Sequence, residues 1–400
     1  MKLLFVHERF GALAGAEANI FTTASELRRR GHTVGILHGP GTGKGESTWL
    51  ETFADRFLLV PENNLSAVKT ALANFQPDVV YTHKLADLDA LAALVSSGVP
   101  LVRMVHDHDL CCMKSYKYNF FTRRICARAF SPFCIFPCGA VLARNSQSGF
   151  PMKWVSYTAK KHELQLNRQF HRLITNSNYL RTELIRNGFA GGKIELHVPV
   201  PPARDPTSCS SFNERNRIVY AGQVIRGKGV DVLLKSLTRV RVPFECVILG
   251  DGNHRPFCEE LSHNLGLADR VHFKGHVPPE ELKQFYRDCS VAVMSSVWPE
   301  PFGMVGIEAM RYGLPVVAFD AGGINEWLID GYNGFLAPWM DCAAFAARVE
   351  ELLRNKTLAR QMGERGLQLV SQHYDFGNYI TGLEDLFTRV VAETRCKPAV

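Results

Sequence analysis

Short apolar runs that end in glycine or small polar residues recur along this chain, each leading towards a stretch with helical periodicity. That repeat constrains the fold most. A strand that feeds a helix, which feeds the next strand, closes as a parallel sheet with helices on its faces. In the first half the strands are read at Lys2–Val6, Thr33–Leu37, Asp78–Thr82, Pro100–Val105, Arg172–Asn176 and Lys193–Val198. In the second half they are read at Arg217–Gly222, Phe244–Leu249, Val271–Lys274, Val291–Met294 and Pro315–Phe319. Pro199, Pro201, Pro202 and Pro206, with Ser208, Ser210 and Ser211, read as a linker between the two series. The expected class is α/β, with two facing Rossmann-like, doubly wound parallel-sheet domains. Residues 1–203 form the first, 204–216 the linker and 217–375 the second, and a helix over 376–400 packs back towards the first.

The length supports this division, since 400 residues exceed one comfortable core. No apolar run is long enough for a transmembrane helix. The opening Met1–Val6 meets His7-Glu8-Arg9 too early for a signal peptide, so a cytoplasmic protein is expected. Eleven cysteines, an odd number, then read as free thiols. Five of them, Cys111, Cys112, Cys126, Cys134 and Cys138, crowd one insertion over 110–150, but no C-x2-C spacing supports a metal site.

Charge is unevenly placed. Between Arg103 and Lys193 there are 15 Lys/Arg against 4 Asp/Glu, within a chain of net charge +7. Tyr116, Tyr118, Phe120, Phe121 and Trp154 lie in the same segment. An anionic membrane surface or a phosphorylated acceptor fits that mixture. No nucleic-acid-binding motif accompanies it, so nucleic acid is not expected.

Several glycine-rich stretches exclude chemistry. The loop after the first strand, Gly11 to Glu17, lacks G-x-G-x-x-G and so gives no support for a nicotinamide or flavin dinucleotide. Gly39–Gly45 fails as a phosphate-binding loop, because His38 and Gly45 stand where Gly and Ser/Thr are required; it reads as flexible. Helices are read at Met152–Gln169, Asn178–Asn187 and Val230–Val240, from Asp341 to about Gln372, and at Asn378–Glu393. His106 follows the Pro100–Val105 strand directly, where ligands of such sheets bind.

The stretch Glu300 to Met310 carries the sharpest signal. Glu300 stands on a loop after an apolar strand, a bare helix start follows at Gly303, and Glu308 projects from that helix. Free amides at such a start suit phosphate or sugar oxygens. Further strand ends are marked by Gly222, by Gly250-Asp251-Gly252, by Gly275-His276-Val277 and by Ala321-Gly322-Gly323-Ile324-Asn325-Glu326.

Glu300 through Glu308 resembles the E-x7-E pattern of the retaining glycosyltransferases of family four, which have the GT-B fold. The similarity covers nearly the whole chain. The Ala-Gly-Ala-Glu run at 14–17 resembles the family's G-G-x-E loop, Asn176-Ser177 its residues before a helix, and Gly222–Gly229 its G-R-x-x-x-x-K-G segment. The resemblance implies a donor that is a nucleotide-diphosphate sugar, a UDP-hexose first and GDP-mannose second, with no metal and no other cofactor. It implies a glycan or lipid-linked acceptor at the inner membrane face, in polysaccharide or glycoconjugate biosynthesis.

The implied roles follow by position. Lys228 contacts the diphosphate, Glu308 the ribose and Glu300 the transferred sugar. Amides near Phe302, Gly303, Met304 and Val305 meet sugar or phosphate oxygens, and Val277 lies against the base. His106 hydrogen-bonds the sugar, and Gly15 lets the first loop approach. Two positions depart from the pattern. Gln223 replaces the first phosphate-binding Arg, with Arg226 three residues on as a substitute, and Ala14 replaces a Gly. The Gln223 departure leaves a second reading open, a catalytically weak GT-B binding or scaffold subunit. Asp107-His108-Asp109 has the spacing of an Asp-x-Asp metal motif but follows His106 and is read as a decoy.

Overall fold

The computed structural model describes all residues except 13–14, 61–62, 120–121, 145–151, 203–209, 211, 213–214 and 397–400. Ala14, Phe120, Phe121, Pro206, Ser208 and Ser211 therefore lie outside the described residues. The chain forms two compact units. The first comprises Met1–Ser115, Ala127–Pro202 and Phe376–Val400, the second Tyr116–Cys126 and Ala203–Asp375.

The first unit runs β1 (Lys2–His7), α1 (Gly15–Arg29), β2 (Thr33–His38), α2 (Glu46–Thr52), β3 (Asp55–Leu58), α3 (Asn64–Phe75), β4 (Val79–Lys84), α4 (Leu88–Val95) and β5 (Leu101–Val105). After an irregular stretch come β6 (Leu142–Arg144), β7 (Met152–Trp154), α5 (Tyr157–Asn167), β8 (Arg172–Thr175), α6 (Asn178–Arg186) and β9 (Ile194–Leu196). The main sheet has the order β3-β2-β1-β4-β5-β8-β9, with every pairing parallel. β5 is buried along its whole length, as a strand covered on both faces must be.

One expectation needs correction here, and one stretch gains elements. Met152–Gln169 is not one helix. Its first residues pair as β7 against β6, and α5 starts only at Tyr157, where the Ser156 hydroxyl accepts the Ala159 amide at 3.2 Å. The stretch beyond the glycine-rich loop adds α2 and the edge strand β3. β3 is largely exposed, so it carries no apolar alternation to read.

The second unit runs β10 (Arg217–Ala221), α7 (Val230–Leu237), β11 (Glu245–Leu249), α8 (Arg255–Asn264), β12 (Val271–Gly275), α9 (Pro279–Asp288), β13 (Val291–Met294), α10 (Met304–Arg311), β14 (Val316–Phe319), β15 (Gly334–Ala337), α11 (Cys342–Arg354) and α12 (Lys356–His373). Its sheet order is β12-β11-β10-β13-β14-β15, again all parallel. β15 is a strand the sequence reading lacks. The helical pattern after Asp341 is two helices, because the Asn355 side chain accepts the Leu358 amide at 3.0 Å and starts α12 anew.

The last helix, α13 (Phe376–Arg395), belongs to the first unit. Arg30 pairs with Glu384 at 2.7 Å, and the rings of Tyr81 and Phe387 meet edge-on at 5.2 Å. Conversely, Tyr116–Cys126, placed by the sequence reading in an insertion of the first domain, clusters with the second unit.

Both sheets reverse direction beside their first strand, between β1 and β4 and between β10 and β13. Such switch points open a crevice at the carboxyl ends of the strands, which is where ligands of doubly wound sheets bind. Among the described residues no helix is long and apolar enough to cross a membrane.

Candidate functional site

The switch point of the second unit holds the glycine-rich turn after β10 and the loop after β13. The two are laced together. The Gly227 carbonyl accepts the amides of Val297 at 2.9 Å and Trp298 at 3.0 Å, and the Ser295 hydroxyl donates to the Lys228 carbonyl at 3.0 Å. Gly229 has φ +68°, and a Cβ there would lie 2.0 Å from the Ser295 carbonyl oxygen, so only glycine permits this approach. The result places Lys228 beside Glu300. Its Nζ donates to the Glu300 Oε1 at 2.6 Å and lies 5.1 Å from the Trp298 ring centroid.

Glu300 is buried, and its Oε1 also accepts from the Trp298 indole at 2.9 Å and from the Ser296 hydroxyl. Burial alone pushes its carboxyl up. The Lys228 charge and the three hydrogen bonds outweigh that and hold it below the usual carboxylate range. The Glu300 backbone is clamped as well. Its amide donates to the Ala321 carbonyl at 3.2 Å, and its carbonyl accepts the Gly323 amide at 2.8 Å. A Cβ on Gly322 would stand 2.2 Å from that carbonyl oxygen. The glycine pair after β14 is thus a backbone rest for the glutamate.

α10 starts immediately afterwards with no side-chain cap at Gly303. The Gly306 amide donates to the Gly303 carbonyl at 3.0 Å, and the two amides before it lack intrahelical acceptors, an arrangement suited to an anion. Phe302 is buried and its carbonyl accepts the Trp327 indole at 2.7 Å, while Met304 and Val305 are half-buried. Glu308 is half-buried in the same helix, and Val277 is half-buried on the turn after β12. Gly222 ends β10, Gln223 is exposed and Arg226 half-buried. Arg226 and Lys228 share one 3-10 turn, so the structure brings Gly222, Gln223, Arg226, Lys228 and Glu300 to one switch point.

The sequence reading missed what supports this turn. The Tyr118 ring lies against Gly227, where a Cβ would come 3.5 Å from its edge. The Tyr116 ring meets Trp298 edge-on at 6.4 Å. Arg123 reaches both carboxylate oxygens of Asp231, in the first turn of α7, at 3.2 and 2.8 Å, and both side chains are buried. No local pattern announces a pairing across 108 positions.

In the first unit His106 follows β5, half-buried, and its Nε2 lies 2.8 Å from Nδ1 of His83, on β4. The rings stack at 5.2 Å, and His83 stacks in turn on Phe5 at 5.8 Å. Burial lowers His106 to about 4. The charges of His7 and Arg103 act in the same direction, and those of Asp109 and Glu17 oppose it. His83 is held well below its ordinary value, by burial first and then by His106, His7 and Arg103. Both imidazoles are therefore neutral at neutral pH.

The tautomers follow. His83 Nε2 is buried with no hydrogen-bond partner among the described residues. A stranded N–H there costs more than a stranded lone pair. His83 therefore carries its proton on Nδ1 and donates to His106 Nε2, which leaves the His106 proton on Nδ1, away from His83.

Gly15 opens α1, exposed, with empty space where a Cβ would be. Glu17 is buried with its Oε1 3.2 Å from His7 Nε2. Asp109 commits one carboxylate oxygen to Arg103 at 2.7 Å and the other to the Leu110 amide at 2.8 Å. Among the described residues no group of three or more His, Cys, Asp and Glu is arranged to hold a metal ion. Of the five crowded cysteines, Cys126 belongs to the second unit and the others to the first.

The profile of the family described as Glycosyltransferase Family 4 matches residues 13–197, and that described as Glycosyl transferases group 1 matches residues 205–369. The chain belongs to the family 4 glycosyltransferases. An uncharacterized glycosyltransferase of Methanocaldococcus jannaschii is 35% identical over 203 residues, 49% of this chain and 52% of that protein. The D-inositol 3-phosphate glycosyltransferase of Streptomyces coelicolor is 28% identical over 268 residues, 58% of each chain. This family 4 chain thus spans about half the length of the curated relatives it matches. Among solved structures, Anabaena Alr3699/HepE in complex with UDP-glucose superposes with a TM-score of 0.73 at 21% identity, covering 97% of this chain and 100% of that one. The fold is GT-B, with two parallel-sheet Rossmann-like domains.

Proposed function

We propose that this family 4 protein transfers a hexose from a nucleotide-diphosphate sugar, UDP-linked in the first instance, to a hydroxyl of a glycan or lipid-linked acceptor, with retention at the anomeric carbon and without a metal. The observation that carries this reading is the pairing of half-buried Lys228 with buried Glu300 beside the uncapped start of α10. A lysine and the first two amides of a helix at one strand end can neutralise a diphosphate. A carboxylate kept ionised beside them can hold the hydroxyls of the attached sugar.

In the proposed reaction the bond between the anomeric carbon and the diphosphate oxygen breaks, and the acceptor oxygen bonds to that carbon on the same face. The acceptor proton passes to the departing phosphate oxygen. Lys228 exchanges Glu300 for the diphosphate as leaving-group charge develops. Glu308 takes the ribose and Val277 the base. His106 is proposed to donate its Nδ1–H to the transferred sugar. As a neutral imidazole it adds no cation beside a ring that itself becomes positive.

Gln223 favours a second reading. An exposed amide replaces a cation at the first position after the turn, and a scaffold subunit that binds donors poorly would tolerate it. The test is product analysis with UDP-glucose, UDP-galactose, UDP-N-acetylglucosamine and GDP-mannose, with water and glycan acceptors, in excess EDTA. Turnover with the donor's anomeric configuration kept in the product is expected. No turnover with any donor supports the scaffold reading, and an inverted product or EDTA-sensitive turnover contradicts the proposed mechanism.

A further inference from the structure

Between Asp109 and Glu163 the chain holds nine Lys/Arg and no acidic residue; Lys117 and Arg123 are buried, and Lys117, Arg123 and Arg124 cluster with the second unit. Within that stretch the first unit builds a small appendage with its own core of Met113, Ala140 and Val141, against which Phe130, Cys134 and Tyr157 pack. Phe130 stacks on Tyr157 at 4.6 Å. That core fixes the short turn Pro132–Cys134 and the β6–β7 ribbon, so what they display is held in place.

They display large apolar side chains. Phe136 is 83% exposed, Trp154 72%, Phe133 52%, Leu142 44% and Ile135 41%. Leu142 and Trp154 are direct cross-strand partners and so stand on one face of the ribbon. Phe133 lies in the Pro132–Cys134 turn and Phe136 follows two residues beyond it. Scattered exposed apolar residues are ordinary, but five within 22 positions of an acid-free basic segment are not.

We propose that this appendage docks the protein on an anionic bilayer, with Phe133, Phe136, Leu142 and Trp154 entering the headgroup boundary and the exposed Arg128 and Lys161 of the same unit meeting lipid phosphates. Aromatic and aliphatic groups beside cations are the composition of interfacial anchors. Arg128, exposed and 4.3 Å above the Phe133 ring, can keep its charge at the headgroups while the ring enters. A second copy of this chain fits less well, since the same face would bring like charges together. Nucleic acid would use the cations and stack on aromatics, but would leave Leu142 and Ile135 without a role. The inference stands independently of sugar transfer, because it concerns where the protein sits.

The test is flotation of the full chain with vesicles of phosphatidylcholine alone, or of phosphatidylcholine and phosphatidylglycerol in equal parts. Wild type is expected to partition onto the mixed vesicles on the order of tenfold more strongly than onto the neutral ones. The doubly substituted Phe136→Ser/Trp154→Ser protein is expected to lose on the order of tenfold of that binding, at an unchanged melting temperature because both side chains are exposed. Equal partitioning onto both vesicles, or a variant that floats like wild type, overturns the proposal. So does tighter binding to single-stranded DNA than to anionic vesicles, or a self-association that the double substitution abolishes.

Discussion

The two units bury titratable groups at the same topological place and keep them there by opposite means. In the second unit Glu300 is ionised under the sheet's switch point, stabilised by Lys228, Ser296 and Trp298. In the first, buried His83 and half-buried His106 form a neutral stacked pair. A buried charge must be paired, and a buried imidazole can shed its proton instead. The difference matches the proposed work: a fixed negative charge and a cation where a diphosphate departs, and an uncharged donor where the sugar ring gains positive charge.

Removing the charge while keeping the shape probes that contrast most strongly. Glu300→Gln is expected to lower transfer about a thousandfold, as loss of a preorganised electrostatic contact does, with donor binding largely kept. A variant within a few-fold of wild type would mean that the carboxylate is structural.

Lys228→Met is expected to destabilise the protein by about 3 kcal/mol, because it leaves Glu300 buried and unpaired. The sign with pH is set by the depressed Glu300 carboxyl. In wild type its contribution is present above the ordinary carboxylate range and is lost as pH falls through the folded-state value. Without Lys228 the carboxyl takes up a proton more readily, so the gap in melting temperature is expected to narrow as pH falls below the ordinary carboxylate value. A constant gap would separate Lys228 from Glu300.

The neutral pair carries a smaller effect. His83→Phe keeps a ring against Phe5 but removes the donor to His106 Nε2. A fall in kcat of about tenfold with KM little changed is expected, with partial recovery in His83→Gln, whose amide can donate. In wild type the unfolded chain binds protons that the folded histidines refuse, so the melting temperature should decrease from pH 6.5 to about 4 through these groups. The groups facing His106 are His83, His7, Glu17, Asp109 and Arg103. His83→Phe should shallow that decrease.

What could be read beforehand was whatever is written locally. Val291–Met294 followed by Glu300 and an uncapped helix start is a strand, a loop and a helix in sequence order, and the sheet sets them as the pattern implies. The glycines at 229 and 322 were legible as turns, though not as surfaces on which the Ser295 and Glu300 carbonyls rest. Long-range pairings were invisible. Arg123 with Asp231 and Tyr118 on Gly227 depend on which unit the 116–126 segment joins, and its basic, aromatic composition suits solvent, membrane and protein equally. β7 was misread because Ser156, a single capping hydroxyl, decides where α5 begins. His83 was missed because an apolar strand with one histidine looks like core, and only His106, just after β5, gives it a role.

Lys228 is proposed to hold the donor diphosphate, beside the glutamate that holds the sugar. The most direct measurement is the melting temperature of wild type and Lys228→Met with saturating UDP, since a ligand that binds only the folded state raises the midpoint. A nucleotide present at about a hundred times its Kd should raise the wild-type midpoint by several degrees. That rise is expected in wild type and is expected nearly to disappear in Lys228→Met. An equal rise in both proteins would place the nucleotide elsewhere and contradict the account.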